Sequence, residues 1–299
     1  MRFAVIPATG IGDTLIMLIA SNHLRKLGHE VTTFHAQLPL FGRWLRDGKC
    51  LCPQNDSYSS FDAILLQHDN TIAAKQIVSL RSCATPVYIF YPTYLESKHG
   101  PLLKTYDYAF DHNLTMAENC RKGSEALFGS RATLFNGIYP LRELSHRKYH
   151  RRVLIHPTSG NEKKNWPKNK FLQLADLLQK LNFHPLFILS PAEKIAWPEI
   201  QSPNIHSLED LASLIYESDY FIGNDSGPGH LASYLSIPHL IICHDERNMQ
   251  LWRPGWHQGR IICPPRWLPN LKKARLRDNN WKQFISVNSV LISFNSLIK

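Results

Sequence analysis

Tyr220-Phe-Ile-Gly-Asn-Asp-Ser-Gly-Pro-Gly-His-Leu-Ala-Ser233 runs from an apolar strand, through a glycine-rich turn, into the start of a helix. That order of strand, tight turn and helix is one step of a doubly wound α/β sheet. Glycine has no Cβ, so Gly227 and Gly229 are expected where backbone must approach a ligand closely. The exposed N–H groups and the positive end of the following helix suit a phosphate. Ser226 can donate a hydroxyl, Asp225 can accept from sugar hydroxyls, and His230 stands inside the helix. The same stretch also reads as a plain strand-to-helix turn with Asp225 or Ser226 as N-cap. It is not a hydrolase elbow, because Gly-Asn-Asp-Ser-Gly is not G-x-S-x-G.

Outward from this turn, strands and helices alternate. The second half reads as strand Val153–His156, helix Lys168–Leu181, strand Pro185–Leu189, helix Leu208–Glu217, strand Tyr220–Gly223, helix Gly229–Leu235 and strand His239–Cys243. The first half reads as strand Arg2–Ile6, helix Thr14–Leu27 ended by Gly28, then strands Val31–Phe34 and Asp62–Gln67. Helix Thr71–Leu80, strands Val87–Tyr91 and Tyr106–Phe110, and helix Met116–Phe128 complete it. The strands are apolar throughout instead of alternating, which fits parallel sheets covered on both faces. Between the halves, Gly129 to Arg152 is irregular and increasingly basic, so the domains are expected at 1–148 and 149–299. A chain of 299 residues is comfortable for two such domains. Ligands of these sheets sit at the carboxyl ends of the strands, which predicts a site in the cleft between the domains. Phe284, Val287, Leu291, Phe294 and Ile298 predict one amphipathic helix over Asn280–Ile298, packed on the core or back on the N-terminal domain.

Hydrophobic residues at 43% and charged residues at 19% exclude a disordered chain. The net charge of +10 favours an anionic partner: nucleic acid, a phosphorylated substrate or an acidic membrane surface. No nucleic-acid module is present, and the aromatics do not interleave with the basic runs as stacking platforms would. No apolar run reaches the roughly 20 residues that span a bilayer. Asp13 and three glycine or proline residues interrupt Phe3–Ala20, which also lacks the marks of a signal peptide. The cysteines Cys50, Cys52, Cys83, Cys120, Cys243 and Cys263 contain no C-x-x-C pair. They read as reduced thiols of a cytoplasmic protein, neither a disulfide framework nor a zinc site. The basic runs 145–152 and Leu271-Lys-Lys-Ala-Arg-Leu-Arg277 read as solvated faces with a chance of anionic-lipid contact, and His146 and His150 as surface.

Two further loops carry chemistry. Pro7-Ala-Thr-Gly-Ile-Gly-Asp13 follows the first strand. Its G-x-G start lacks a third glycine, Leu15 standing there, and Phe34-His35-Ala36 offers no acid at the end of the second strand. A nicotinamide cofactor is therefore not expected. Asp13 instead offers a carboxylate at a helix N-terminus, where the dipole favours the ionised form a general base needs; it also reads as the helix N-cap. In Pro157-Thr-Ser-Gly-Asn-Glu-Lys-Lys-Asn-Trp-Pro167, Thr158, Ser159 and Gly160 can line the site. Lys163 or Lys164 can reach a diphosphate as a point charge, Lys163 reading better as solvated. Glu193, after a strand, suits either a ribose hydroxyl or solvent.

Together these motifs resemble glycosyltransferase family 9, the ADP-heptose:lipopolysaccharide heptosyltransferases. The likeness lies in Gly10-Ile-Gly-Asp13, Lys164-Asn-Trp-Pro167, Asp225-Ser-Gly-Pro-Gly-His230 and the closing Ile285-Ser-Val-Asn-Ser-Val290. The resemblance implies a GT-B fold, an α/β architecture of two facing Rossmann-like doubly wound domains with a C-terminal helix. It implies an inverting glycosyl transfer with no metal and no cofactor beyond a nucleotide-sugar donor, ADP-linked by the family's habit. By position, Asp13 would deprotonate the acceptor hydroxyl, Lys164 would neutralise the donor diphosphate and Glu193 would hold the ribose. Asp225, Ser226, Gly227, Gly229 and His230 would seat the phosphates and sugar, with Gly12, Thr158 and Ser159 completing the donor set. The partners implied are a nucleotide sugar and an anionic glycolipid acceptor, met peripherally at the inner face of the cytoplasmic membrane. Two other readings remain open at this point. A sugar-nucleotide epimerase of the same architecture would need more acid/base carboxylates than Asp13 and Glu193. A non-catalytic glycan- or nucleotide-binding homologue would have little use for both Asp13 and the Asp225–His230 loop.

Overall fold

The apolar runs of each half align as one parallel sheet, because a strand buried on both faces needs helices on both sides and a crossover between neighbours. The structure, a computed structural model, describes residues 1–46, 48–52, 58–82, 85–265 and 276–298. It divides into two compact units, Met1–Tyr139 and Pro140–Lys299.

In the first unit, β1 (Arg2–Ile6), α1 (Ile11–Lys26), β2 (Glu30–Phe34), β3 (Lys49–Leu51) and β4 (Ala63–Gln67) come first. They are followed by α2 (Ile72–Ser79), β5 (Val87–Tyr91), α3 (Glu96–His99), β6 (Asp107–Ala109) and α4 (Met116–Phe128). The six-stranded sheet has the order β3-β2-β1-β4-β5-β6, every pairing parallel. One face buries Phe34, Ile64, Leu66, Ile89 and Tyr91 against α2. The helix expected from Thr14 begins at Ile11 instead, with Gly10 at its N-cap. Asp13 therefore stands in the first turn and is not the cap. Gly28, at φ 84°, ends this helix as its composition predicts.

The second unit comprises β7 (Tyr149–His156), α5 (Lys168–Lys180), β8 (His184–Phe187), α6 (Pro191–Lys194), α7 (Leu208–Tyr216) and β9 (Ser218–Asn224). Then come α8 (Gly227–Tyr234), β10 (His239–Ile242), α9 (Glu246–Trp252), β11 (Arg260–Ile262), α10 (Leu276–Phe284) and α11 (Val287–Asn295). Its five-stranded sheet runs β11-β10-β9-β7-β8, again wholly parallel. The single C-terminal helix expected over 280–298 is two helices, since Ser286 caps the second by accepting from the Ser289 N–H. Val290 and Phe294 enter the core beside Phe171, Leu174 and Phe183.

The basic run 145–152 is more tied down than a solvated face. Arg147 Nε and the Arg151 N–H both donate to the Asp219 carboxylate, at 2.7 and 2.9 Å. The Arg151 guanidinium caps the end of α5 through the Leu181 and Asn182 carbonyls. His146 is exposed, as read from sequence. Residues 271–275 of the second basic run, and Cys83, lie outside the described residues. Cys50, Cys52, Cys120, Cys243 and Cys263 are free thiols. Among the described residues no helix is long and apolar enough to cross a membrane.

β7 and β9 are sheet neighbours, with Gly223 opposite His156 in the register. A Cβ on Gly223 would lie 2.9 Å from the His156 carbonyl oxygen, which is backbone and cannot swing aside. Gly223→Ala is therefore expected to cost about 1–3 kcal/mol, read as a lower urea midpoint with an unchanged slope.

Candidate functional site

At the carboxyl ends of β7 and β9 the chain places two loops side by side. The buried amide of Asn224 joins them: Nδ2 donates to the Pro157 carbonyl at 2.6 Å and Oδ1 accepts from the Trp166 N–H at 3.0 Å. Trp166 in turn donates from Nε1 to the Ile285 carbonyl, and Trp281 from Nε1 to the Lys163 carbonyl. The Lys-x-Trp-Pro segment is thus held between the sheet and the C-terminal helix pair.

Held this way, Lys164 comes to 3.6 Å from the Asp225 carboxylate, joining two residues far apart in the chain. Ser226 occupies the N-cap of α8 but makes no side-chain capping bond. Its hydroxyl turns to His156 Nδ1, at 3.0 Å, and to the Asn224 carbonyl, at 3.2 Å. Of the first N–H positions of α8, Pro228 has none and Gly229 donates to the Ser226 carbonyl at 3.1 Å, so the Gly227 N–H is the one this turn offers an anion. Thr158, buried in the β7–α5 loop, donates to Glu193 and lies 3.2 Å from His156 Nε2. Glu193 is not a solvated first-turn glutamate. It closes a capping box with Ser190 on α6 while its other oxygen faces Thr158 and His156. Burial opposes its charge, but His156, the Thr158 hydroxyl and the Ser190 N–H outweigh that and hold the carboxyl well below the usual glutamate range.

The remaining residues vary. Ser159 spends its hydroxyl on Asn165 and the Asn161 carbonyl, closing its own loop. Lys163 is exposed, as expected. His230 is buried on α8 with no hydrogen-bond partner for Nδ1 among the described residues, and burial lowers its pKa against the opposing pull of Asp225. Gly229 has a packing reason of its own, since a Cβ there would lie 2.7 Å from Ile241 Cδ1. Gly227 opens α8.

The first unit carries a second, smaller set. Gly12 and Asp13 lie in the first turn of α1. Gln67, the last residue of β4 and buried, donates from Nε2 to Asp13 Oδ1 at 2.6 Å. Its Oε1 accepts from the Ala8 N–H at 3.3 Å, so one amide fixes both the turn and the carboxylate. Gly10 leaves room for this pose: a Cβ there would lie 2.7 Å from Asp13 Oδ2.

Reading the sequence missed His156, Asn224 and Gln67. Each is the polar last residue of an apolar strand, and that position is the signal that could have found them, because a strand's carboxyl end faces the ligand side of such a sheet.

Residues 130–280 match the sequence profile of the family described as Glycosyltransferase family 9 (heptosyltransferase). The chain belongs to this family. Over 150 residues it is 29% identical to Lipopolysaccharide heptosyltransferase 3 of Escherichia coli (strain K12), covering 45% of this chain and 42% of that protein. Over 110 residues it is 34% identical to Lipopolysaccharide heptosyltransferase 1 of Campylobacter coli, 32% of each chain being covered. The chain thus spans less than half the length of these relatives. The solved structure of E. coli ADP-heptose LPS heptosyltransferase II superposes with a TM-score of 0.71 at 15% identity, over 100% of this chain and 98% of that one. That likeness shows the fold of this family 9 member, GT-B with two Rossmann-like units.

Because the fold favours ionised Glu193, its contribution to stability is present at neutral pH and is lost as pH falls below the ordinary glutamate value of 4.5. From about pH 6 to about pH 3.5, Glu193→Gln is expected to lose about 1 kcal/mol less stability than the unaltered chain, measured by urea denaturation at each pH.

Proposed function

We propose that this family 9 member transfers a heptose or related sugar from an ADP-linked donor to a lipopolysaccharide core acceptor, with inversion and without a metal. The observation that carries the reading is the convergence of Lys164, Asp225, Ser226, Thr158 and Glu193 around the start of α8. A departing diphosphate needs cations and oriented N–H donors, and with no metal Lys164 and the Gly227 N–H at the start of α8 supply them. Glu193 is the acceptor for ribose hydroxyls, Asp225 for those of the sugar, with Gly12, Ser159, Gly227, Gly229 and His230 completing the donor contacts. The E. coli structural neighbour, an ADP-heptose transferase by name, supports ADP as the nucleotide.

Asp13 is the general base in this reading. Gln67 holds one carboxylate oxygen, and the helix N-terminus favours its charge. The acceptor hydroxyl loses its proton to Asp13 as the anomeric carbon is attacked from the face opposite the diphosphate, which inverts that centre. The net charge of +10 suits an acidic glycolipid and peripheral work at the inner membrane face.

Thermal shift with ADP, UDP and GDP is expected to rank ADP first, since stabilisation follows occupancy. Asp13→Ala is expected to lower transfer by about a hundredfold or more while keeping ADP binding, and chelation by EDTA to leave the rate unchanged. Near-normal turnover by Asp13→Ala would remove Asp13 from the role of base, and no stabilisation by any of the three nucleotides would remove the donor reading.

A further inference from the structure

His156 belongs to none of the motifs, yet it sits buried at the centre of the second unit's polar cluster. The hydroxyls around it have few protons to share. Thr158 Oγ1 gives its one proton to Glu193, whose ionised oxygen can only accept. Toward His156 Nε2, 3.2 Å away, that hydroxyl oxygen can then only accept, so Nε2 carries a hydrogen. Ser226 Oγ stands 3.0 Å from Nδ1 and 3.2 Å from the Asn224 carbonyl oxygen, and its single proton cannot serve both. With Nδ1 bare, the Ser226 proton is held on the ring. With Nδ1 protonated, the ring donates to Oγ and the serine proton is released, toward the Asn224 carbonyl or toward an anion at the start of α8.

We propose that His156 is a positioning residue whose second proton frees the Ser226 hydroxyl to donate to the donor diphosphate, so that diphosphate binding is linked to proton uptake at His156. The proposal rests on the reading of this half-site as diphosphate-binding. Glu193 on α6, 3.6 Å from Nε2, supplies the counter-charge for the doubly protonated ring. Asp225, beside Ser226 and paired with Lys164 at 3.6 Å, brings the other charges to this end of the sheet. An arriving diphosphate adds negative charge next to Ser226 and shifts the balance further toward the protonated ring. His230 on α8, electrostatically coupled to Asp225, and His244 after β10, coupled to Lys164, are the neighbouring histidines, so variants and not pH alone must decide the matter.

The probe is ADP-glucose, an ADP diester with no phosphate proton that titrates between about pH 6 and about pH 8.5. It is titrated calorimetrically into the full chain, in buffers of differing ionisation heat so that proton uptake is read directly. The unaltered protein is expected to take up a fraction of a proton and to bind about tenfold more weakly at the upper pH. His156→Gln and Ser226→Ala are each expected to bind about tenfold more weakly at the lower pH, with a flat profile, and the double variant no more weakly than either single one. Absence of proton uptake by the unaltered protein, or its pH slope persisting in His156→Gln or Ser226→Ala, overturns the proposal and leaves the donor reading standing. Failure of the unaltered protein to bind ADP-glucose or ADP at any pH overturns the donor reading, and the proposal with it. If His156→Gln does not fold, Ser226→Ala and the proton count of the unaltered chain decide between these outcomes.

Discussion

The parallel pairing of β7 with β9 is the constraint on which the proposed donor half-site depends. The two strands are distant in sequence, and only their adjacency sets the 157–166 loop against the turn at 225–229. Two residues make that adjacency tight. Gly223 lets β9 close on the His156 carbonyl, and the fully buried Asn224 amide donates to one end of the loop and accepts from the other. A buried amide left unpaired costs about 1–3 kcal/mol, so the fold gains by keeping both contacts, and the loop inherits their precision.

The first unit uses the same device. β1 and β4 are neighbours in its sheet as β7 and β9 are in the other. The last residue of β4, Gln67, reaches across to the loop after β1 and holds both the Ala8 N–H and the Asp13 carboxylate. In each unit a polar residue closing one strand fixes the candidate-site loop of the strand beside it. The repeat follows from geometry, since loops at the carboxyl ends of parallel strands need anchors and the adjacent strand end is the nearest rigid point.

The electrostatics of the second unit are arranged in pairs. Asp225 is balanced by Lys164, and Glu193 by the His156 ring and by N–H and hydroxyl donors. Such pairing offsets the cost of placing two carboxylates beside a helix N-terminus in a partly buried place, where a lone charge would be costly. The N-cap serine that does not cap is the visible consequence. Its hydroxyl faces His156 and the Asn224 carbonyl instead of a backbone N–H of its own helix.

The sequence by itself determined the two sheets, nearly all their strands and the three loops that carry polar chemistry, because apolar runs, glycine turns and helix starts are written locally. It missed β3 and β11, edge strands of three residues each and too short to show a pattern, and read two C-terminal helices as one because the Ser286 cap breaks the chain without breaking the apolar spacing. It named Lys164, Asp225, Thr158, Glu193 and Ser226 singly. Only the tertiary structure decided which of them meet, and only it brought His156, Asn224 and Gln67 into view. The reason is physical: a side chain's partners across a parallel sheet are set by strand order and register, and those depend on crossovers that no local pattern encodes.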